Sequence, residues 1–184
     1  MIFCLTVGSI NAINNPDLKP SFANLVWYSQ KDYVKRTLST KGYAYIGENG
    51  KFSDLTFDGK INGISAFIVA SFNDKNQLVK TNIIFRGLTA KSVYDSVKAS
   101  LTEKYGKGRS IEIRYLPNYD SLISSYINST DKHETTWVFP TNSYDVWLQI
   151  TRPYTNKEDF YTTLSYESPA WSKELDRRNN NSDF

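Results

Sequence analysis

The chain has 184 residues, with 22 Lys and Arg against 19 Asp and Glu, one histidine and one cysteine. That length suits one domain, or two small units sharing one core. A net charge of +3, with bases and acids interspersed, excludes the basic stripe of a nucleic-acid binder, so no nucleic acid is expected as a partner. Aromatic residues reach 15%, with 13 Tyr, 10 Phe and 4 Trp; such residues favour pleated, half-buried surfaces, so the chain leans towards sheet.

Residues 1–12 form an apolar, uncharged run, with Ile2, Phe3, Leu5, Val7 and Ile10 followed or interrupted by small residues at Gly8, Ser9 and Ala12. This reads as the end of a secretory signal peptide, and residues 13–28 as a polar, turn-rich lead-in. The run is too short to cross a bilayer, which takes ~20 apolar residues, and no transmembrane segment is expected elsewhere. Cys4 lies inside it, so the mature chain would carry no thiol, disulfide or CxxC redox site.

The folded domain is expected over residues 29–171. Ser29, with Asp32 three residues on, reads as the cap of a first helix whose stripe is Tyr33, Val34, Thr37 and Leu38 and whose stop is Gly42. Strands follow at 43–47, 53–57, 61–72 and 78–85, closed in turn by Gly50, by Asp58-Gly59 and by residues 73–76, with Asn62-Gly63 near the start of the third. Asn-Gly and Asp-Gly accept the positive φ of tight hairpins, which predicts an antiparallel meander. A second helix is capped by Thr89, carries Val93, Tyr94, Val97, Leu101 and Tyr105 on one face, and stops at Gly106. Strands at 110–116, 135–139, 144–151 and 160–167 complete the list, and the polar tail 172–184 is expected to fray. The fold class is therefore α+β: an antiparallel sheet with two helices packed on one face. The order of elements leaves open a tandem pair of helix-plus-meander units, residues 29–86 and 89–167, the second carrying an insertion at 117–134.

This order resembles a group of small exported bacterial proteins, the outer-membrane assembly lipoproteins of the SmpA/OmlA type and the secreted β-lactamase inhibitor proteins. Local echoes are the helix opened at Ser29, the helix exit Glu-Lys-Tyr-Gly-Lys at 103–107, and the closing Leu-Ser-Tyr-Glu-Ser at 164–168. The resemblance implies a concave sheet face that grips a protein. The chain departs from the inhibitors in having no second cysteine for a disulfide.

Candidate chemistry is sparse. His133, the one histidine, sits in Asp-Lys-His-Glu at 131–134, which reads as a solvated loop with no second ligand for a metal or partner for a triad. Gly-rich phosphate loops are absent. Glu112, Glu134, Asp145 and Glu167 lie on or beside strands and could pair as the carboxylates of a histidine-independent hydrolase. The last three strands concentrate aromatic residues at Trp137, Phe139, Trp147, Tyr161 and Tyr166. Strand alternation points Trp147, Gln149 and Thr151 away from Val146 and Leu148. Trp147 is therefore either an exposed contact residue or part of a second buried layer. The insertion holds Tyr119, Leu122, Ile123, Tyr126 and Ile127 among serines, a composition shared by recognition loops and by a short amphipathic helix over 120–128.

These residues support a non-enzymatic binding protein of the bacterial cell envelope or secretome, extracytoplasmic and monomeric, that needs no cofactor or metal. It would meet a protein or peptide through Tyr119, Tyr126 and Trp147. The alternatives are the paired-carboxylate hydrolase and an envelope protein that binds a small ligand or lipid.

Overall fold

A computed structural model describes residues 18–86, 90–113, 132–139, 144–151 and 161–180. Among them, three α-helices surround one eight-stranded sheet. In chain order the elements are α1 (Lys31–Thr40), β1 (Ala44–Asn49), β2 (Asp54–Ile61), β3 (Ile64–Phe72), β4 (Leu78–Phe85), α2 (Ala90–Tyr105), β5 (Arg109–Ile113), β6 (Lys132–Phe139), β7 (Tyr144–Thr151), β8 (Tyr161–Glu167) and α3 (Trp171–Asn180). The strands lie in the order β1-β2-β3-β4-β8-β7-β6-β5, and every pairing is antiparallel. Each half is a helix followed by a four-stranded meander, and the two meanders meet where β4 pairs with β8. The fold is the α+β class that the sequence implies. No helix among the described residues is long and apolar enough to cross a membrane.

The first helix starts later than its sequence signals suggest. Gln30 occupies the cap position without a side-chain bond. Ser29 instead donates its hydroxyl to Val26 O at 2.7 Å. Its end follows expectation, with Gly42 at φ +89°, where a residue without Cβ meets no steric penalty. In the first meander, Asn62-Gly63 is the hairpin turn, with φ of +51° and +80°, and it joins the paired Ile61 and Ile64. The rival signal, Asp58-Gly59, lies inside β2. Asp58 is engaged there by Arg86. A side chain at 59 would strike the ring of Tyr43, which lies 2.6 Å from the Cβ position. His133 is on β6, opposite Glu112 of β5, and not in a loop.

One apolar layer lies between the sheet and α1 and α2. Val34 and Leu38 of α1, and Val93, Tyr94, Leu101 and Tyr105 of α2, are buried against Phe57, Ile68, Ile83, Trp137, Phe139, Val146 and Leu148 of the strands. The lead-in contributes more than a polar linker would: Phe22, Leu25 and Trp27 belong to this core. Trp27 donates its indole N–H to Pro20 O at 3.0 Å and meets Tyr144 of β7 at 5.7 Å between ring centroids. The buried Tyr94 and Thr135 hydroxyls share a hydrogen bond at 2.6 Å, and Trp137 donates to Gly106 O at 2.8 Å, tying the end of α2 to β6.

The tail is the clearest departure from expectation. Residues 172–180 do not fray; they belong to α3, which packs on the sheet face opposite α1 and α2. Its anchor is polar. The Arg178 guanidinium spans both carboxylate oxygens of Asp54 at 2.7 and 2.9 Å, reaches Phe72 O at 2.9 Å and bonds Glu174 at 2.8 Å. Arg177 bonds the same Glu174, which is 3% exposed. Burial opposes the charge on Glu174, but the hydrogen bonds from the two arginines and their charges outweigh it and hold its carboxyl below the ordinary value. Ser71 completes the group by donating to Asp54 at 2.8 Å.

Two outcomes follow. Leu101→Ala should lower unfolding free energy by about 2–5 kcal/mol in urea titration; a loss under about 0.5 kcal/mol would place that helix face at the surface. Arg178→Met leaves Asp54 without its bidentate partner and should cost about 3 kcal/mol. Hydrogen exchange should then accelerate in α3 before it does in β3 and β4; uniform acceleration would mean that the helix is not separately held.

Candidate functional site

Side chains alternate across a strand, so the register of the sheet decides which residues share its second face. One row runs along the rim of that face: Asp54 on β2, Ser71 on β3, Lys80 on β4, Glu167 on β8 and Asp145 on β7. The pairs Ser71↔Lys80, Lys80↔Glu167 and Asp145↔Glu167 are directly opposed. The next row brings Val69, Asn82, Ser165 and Trp147 side by side, with Ser165 donating to Asn82 Oδ1 at 2.7 Å. Helix α3 lies across one end of these rows, and the space left between helix and sheet is a cleft of about 540 Å³.

Trp147 and Trp171 are the aromatic groups of the cleft, Lys80, Asp145 and Glu167 its charges, and Ser168 and Leu175 lie at its helix side. Lys80 Nζ pairs with Glu167 Oε1 at 2.8 Å and sits over the Trp171 ring, 4.5 Å from its centroid. That is an ammonium held by a carboxylate and an indole face. Asp145 has no such service; no ion pair or hydrogen bond satisfies it among the described residues. Its carboxyl stands above the ordinary value, first because burial disfavours its charge and second because the Glu167 carboxylate faces it. Two further groups of the cleft have no hydrogen-bond partner among the described residues: the buried Trp147 Nε1–H and the buried Ser168 hydroxyl. Native interiors rarely leave such groups unmatched.

Trp147 therefore answers to neither simple expectation. Val146 and Leu148 are fully buried in the main core, as alternation requires, yet Trp147 is half-buried and not covered by α1 or α2. The other aromatic residues of these strands divide: Trp137, Phe139 and Tyr166 are core residues, and Tyr161 is half-buried. Tyr119, Tyr126 and the whole stretch 114–131 lie outside the described residues, as does Thr89. Of the candidate carboxylates, Asp145 and Glu167 are brought together. Glu134 is buried on β6 and engaged by another group. Glu112 is on β5, away from them in strand order. Lys80, Ser168 and Trp171 carry no motif in the sequence: Lys80 reaches Glu167 only through the pairing of β4 with β8, while Ser168 and Trp171 follow Glu167 in the chain. Among the described residues no cluster of His, Cys, Asp and Glu is placed to hold a metal ion.

A second groove on the same face is lined by Ile46, Phe67, Val69 and Ile84, with Glu48, Asn49 and Thr56 beside them. Ile46 is 56% exposed, and Val138, on the far side of the cleft, is 47% exposed. The face thus carries apolar surface on both flanks of the charged row.

Asp145 gives a pH test. A carboxyl raised in the folded state weakens the fold above its folded pKa and returns that stability as pH falls through it. Asp145→Asn should therefore match or exceed the wild-type thermal midpoint at pH 7. The difference should shrink as pH falls through the raised folded pKa and vanish only below about 3, where the wild-type group is protonated in both states. A lower midpoint at pH 7 would mean that the carboxylate is satisfied.

No protein-family model, curated protein or solved structure matches the chain. The chemistry of the cleft is therefore read from its geometry.

Proposed function

We propose that this chain is an exported, non-enzymatic binding protein of the cell envelope that receives a protein or peptide partner on the sheet face opposite α1 and α2. The observation that carries this reading is the cleft at Trp147. It combines two indoles, an unsatisfied carboxylate and two unmatched hydrogen-bonding groups. Large aromatic residues at a desolvated centre, ringed by polar groups, are where interface energy concentrates. The apolar flanks at Ile46, Phe67 and Val138 would extend the contact beyond the cleft. The signal-like run of residues 1–12 supports export, and the Tyr-rich insertion supports a contribution from Tyr119 and Tyr126.

The paired-carboxylate hydrolase has one observation in its favour, the direct opposition of Asp145 and Glu167. Lys80 holds one of the two, so this pair also serves as the anchor of an ammonium. Binding accounts for the aromatic walls as well as the acids.

The test is site-specific photocrosslinking in envelope extract. A benzophenone side chain at Val138 should crosslink a discrete partner, and one at Tyr33, an exposed residue of α1, should not. Trp147→Ala, confirmed as folded, should then weaken affinity for the recovered partner by about 2 kcal/mol, with smaller losses for Tyr119→Ala and Tyr126→Ala. Equal crosslinking at Val138 and Tyr33, or wild-type affinity in all three variants, would reject this face as the binding surface.

A further inference from the structure

The cleft contains the same recognition pair twice. In one half, Glu167 and the Trp171 ring hold the ammonium of Lys80, at 2.8 Å from the carboxylate and 4.5 Å from the ring centroid. In the other half, Asp145 and Trp147 stand two residues apart on one face of β7, and no ion pair reaches Asp145 among the described residues. The charges of the cleft do not balance: Asp145 and Glu167 face a single Lys80. In a chain of net charge +3, this is a locally acidic recess. Acids alone would not define a site. Here the second observation is independent of charge. Ser168 is 4% exposed, lines the cleft, and has a hydroxyl with no partner among the described residues, and the Trp147 indole N–H is equally unmatched among them.

We infer that the Asp145–Trp147 half of the cleft receives a lysine side chain presented by the protein partner. This rests on the binding reading above and names what that site recognises. The chemistry follows the occupied half. An ammonium gains from a carboxylate through charge-assisted hydrogen bonds. It gains from an indole face through the ring quadrupole, more so when water is excluded. A second cation would remove the repulsion between Asp145 and Glu167 and offset the desolvation of Asp145. The lysine's methylene stem suits the apolar walls of Trp147 and Leu175, since such stems lie along apolar surface while the charged head seeks its partner.

The experiment is a titration of the full chain, labelled with ¹⁵N, by two short blocked peptides. One has a central lysine; the other has norleucine there, which keeps the stem and removes the charge. Indole N–H resonances, assigned by Trp147→Phe and Trp171→Phe, report the site. The lysine peptide should shift the Trp147 resonance saturably, and more weakly at high salt as screening predicts. The norleucine peptide should not. Asp145→Asn, which retains the fold, should weaken the lysine peptide about ten-fold. Equal binding of both peptides would make the cleft an apolar pocket and overturn the inference. Unchanged affinity in Asp145→Asn, or no lysine-dependent shift of Trp147, would overturn it too. The two readings fail separately. A partner that crosslinks at Val138 and needs Trp147, with no lysine-peptide binding, preserves the binding function and rejects lysine as its key. Lysine-peptide binding without any partner at Val138 does the reverse.

Discussion

The pairing of β4 with β8 is the constraint on which this molecule depends. Each four-stranded meander has one broad apolar side and two open edges, and an edge strand is a row of unpaired backbone groups. Joining the two at Lys80↔Glu167 through Ile84↔Thr163 removes one edge from each and makes a single sheet. On one side the junction sets Ile83 against Leu164, continuous with the core under α1 and α2. On the other it sets Lys80 against Glu167 and Asn82 against Ser165. A slip of one residue would exchange those faces and bury Lys80 and Glu167 in the apolar layer. The same register thus secures the core and creates the charged row of the cleft.

Much of this architecture is legible in the sequence where a local rule has no competitor. The α2 stripe of Val93, Tyr94, Leu101 and Tyr105 is regular, and its buried face follows from spacing alone. Gly42 and Gly106 end helices because each adopts positive φ. Where two local signals compete, tertiary contacts decide. Asp58-Gly59 and Asn62-Gly63 are both good turn sequences. Arg86 and Tyr43 claim the first for the body of β2, and the hairpin forms at the second. Helix α3 was illegible for a different reason. It lacks a broad apolar stripe, and its chief anchor is an arginine reaching a carboxylate more than a hundred residues away. No window along the sequence contains both partners.

The cleft was legible in part. Alternation alone separates Trp147 from Val146 and Leu148, and strand position marks Asp145 and Glu167 as candidates. Their opposition is set by the register of β7 on β8, and the connection between those strands is too long for turn chemistry to fix it. Lys80 comes from the other meander, and Trp171 from a helix that reads as a tail. A site assembled from four elements, two of them joined only at the β4–β8 seam, leaves no contiguous motif.

The two ends of the charged row carry the same residue type in opposite circumstances. Asp54 is met by Arg178 and Ser71, and its burial is matched bond for bond. Asp145 is desolvated, faces Glu167, and receives no donor among the described residues. Helix α3 reaches both ends of the row: its C-terminal turn delivers the guanidinium to Asp54, and its first turn sets Trp171 over Lys80 in the cleft that Asp145 also lines. An isolated carboxylate in such a recess opposes folding, since a nonpolar or amide side chain there would avoid the charge. A second cation would convert that cost into affinity, because a group left unsatisfied in the unbound protein is the one that gains most from a matching partner. The rim clamped by Arg178 and the cleft that lacks its counterpart are thus one helix's two contributions, the first to stability and the second to recognition.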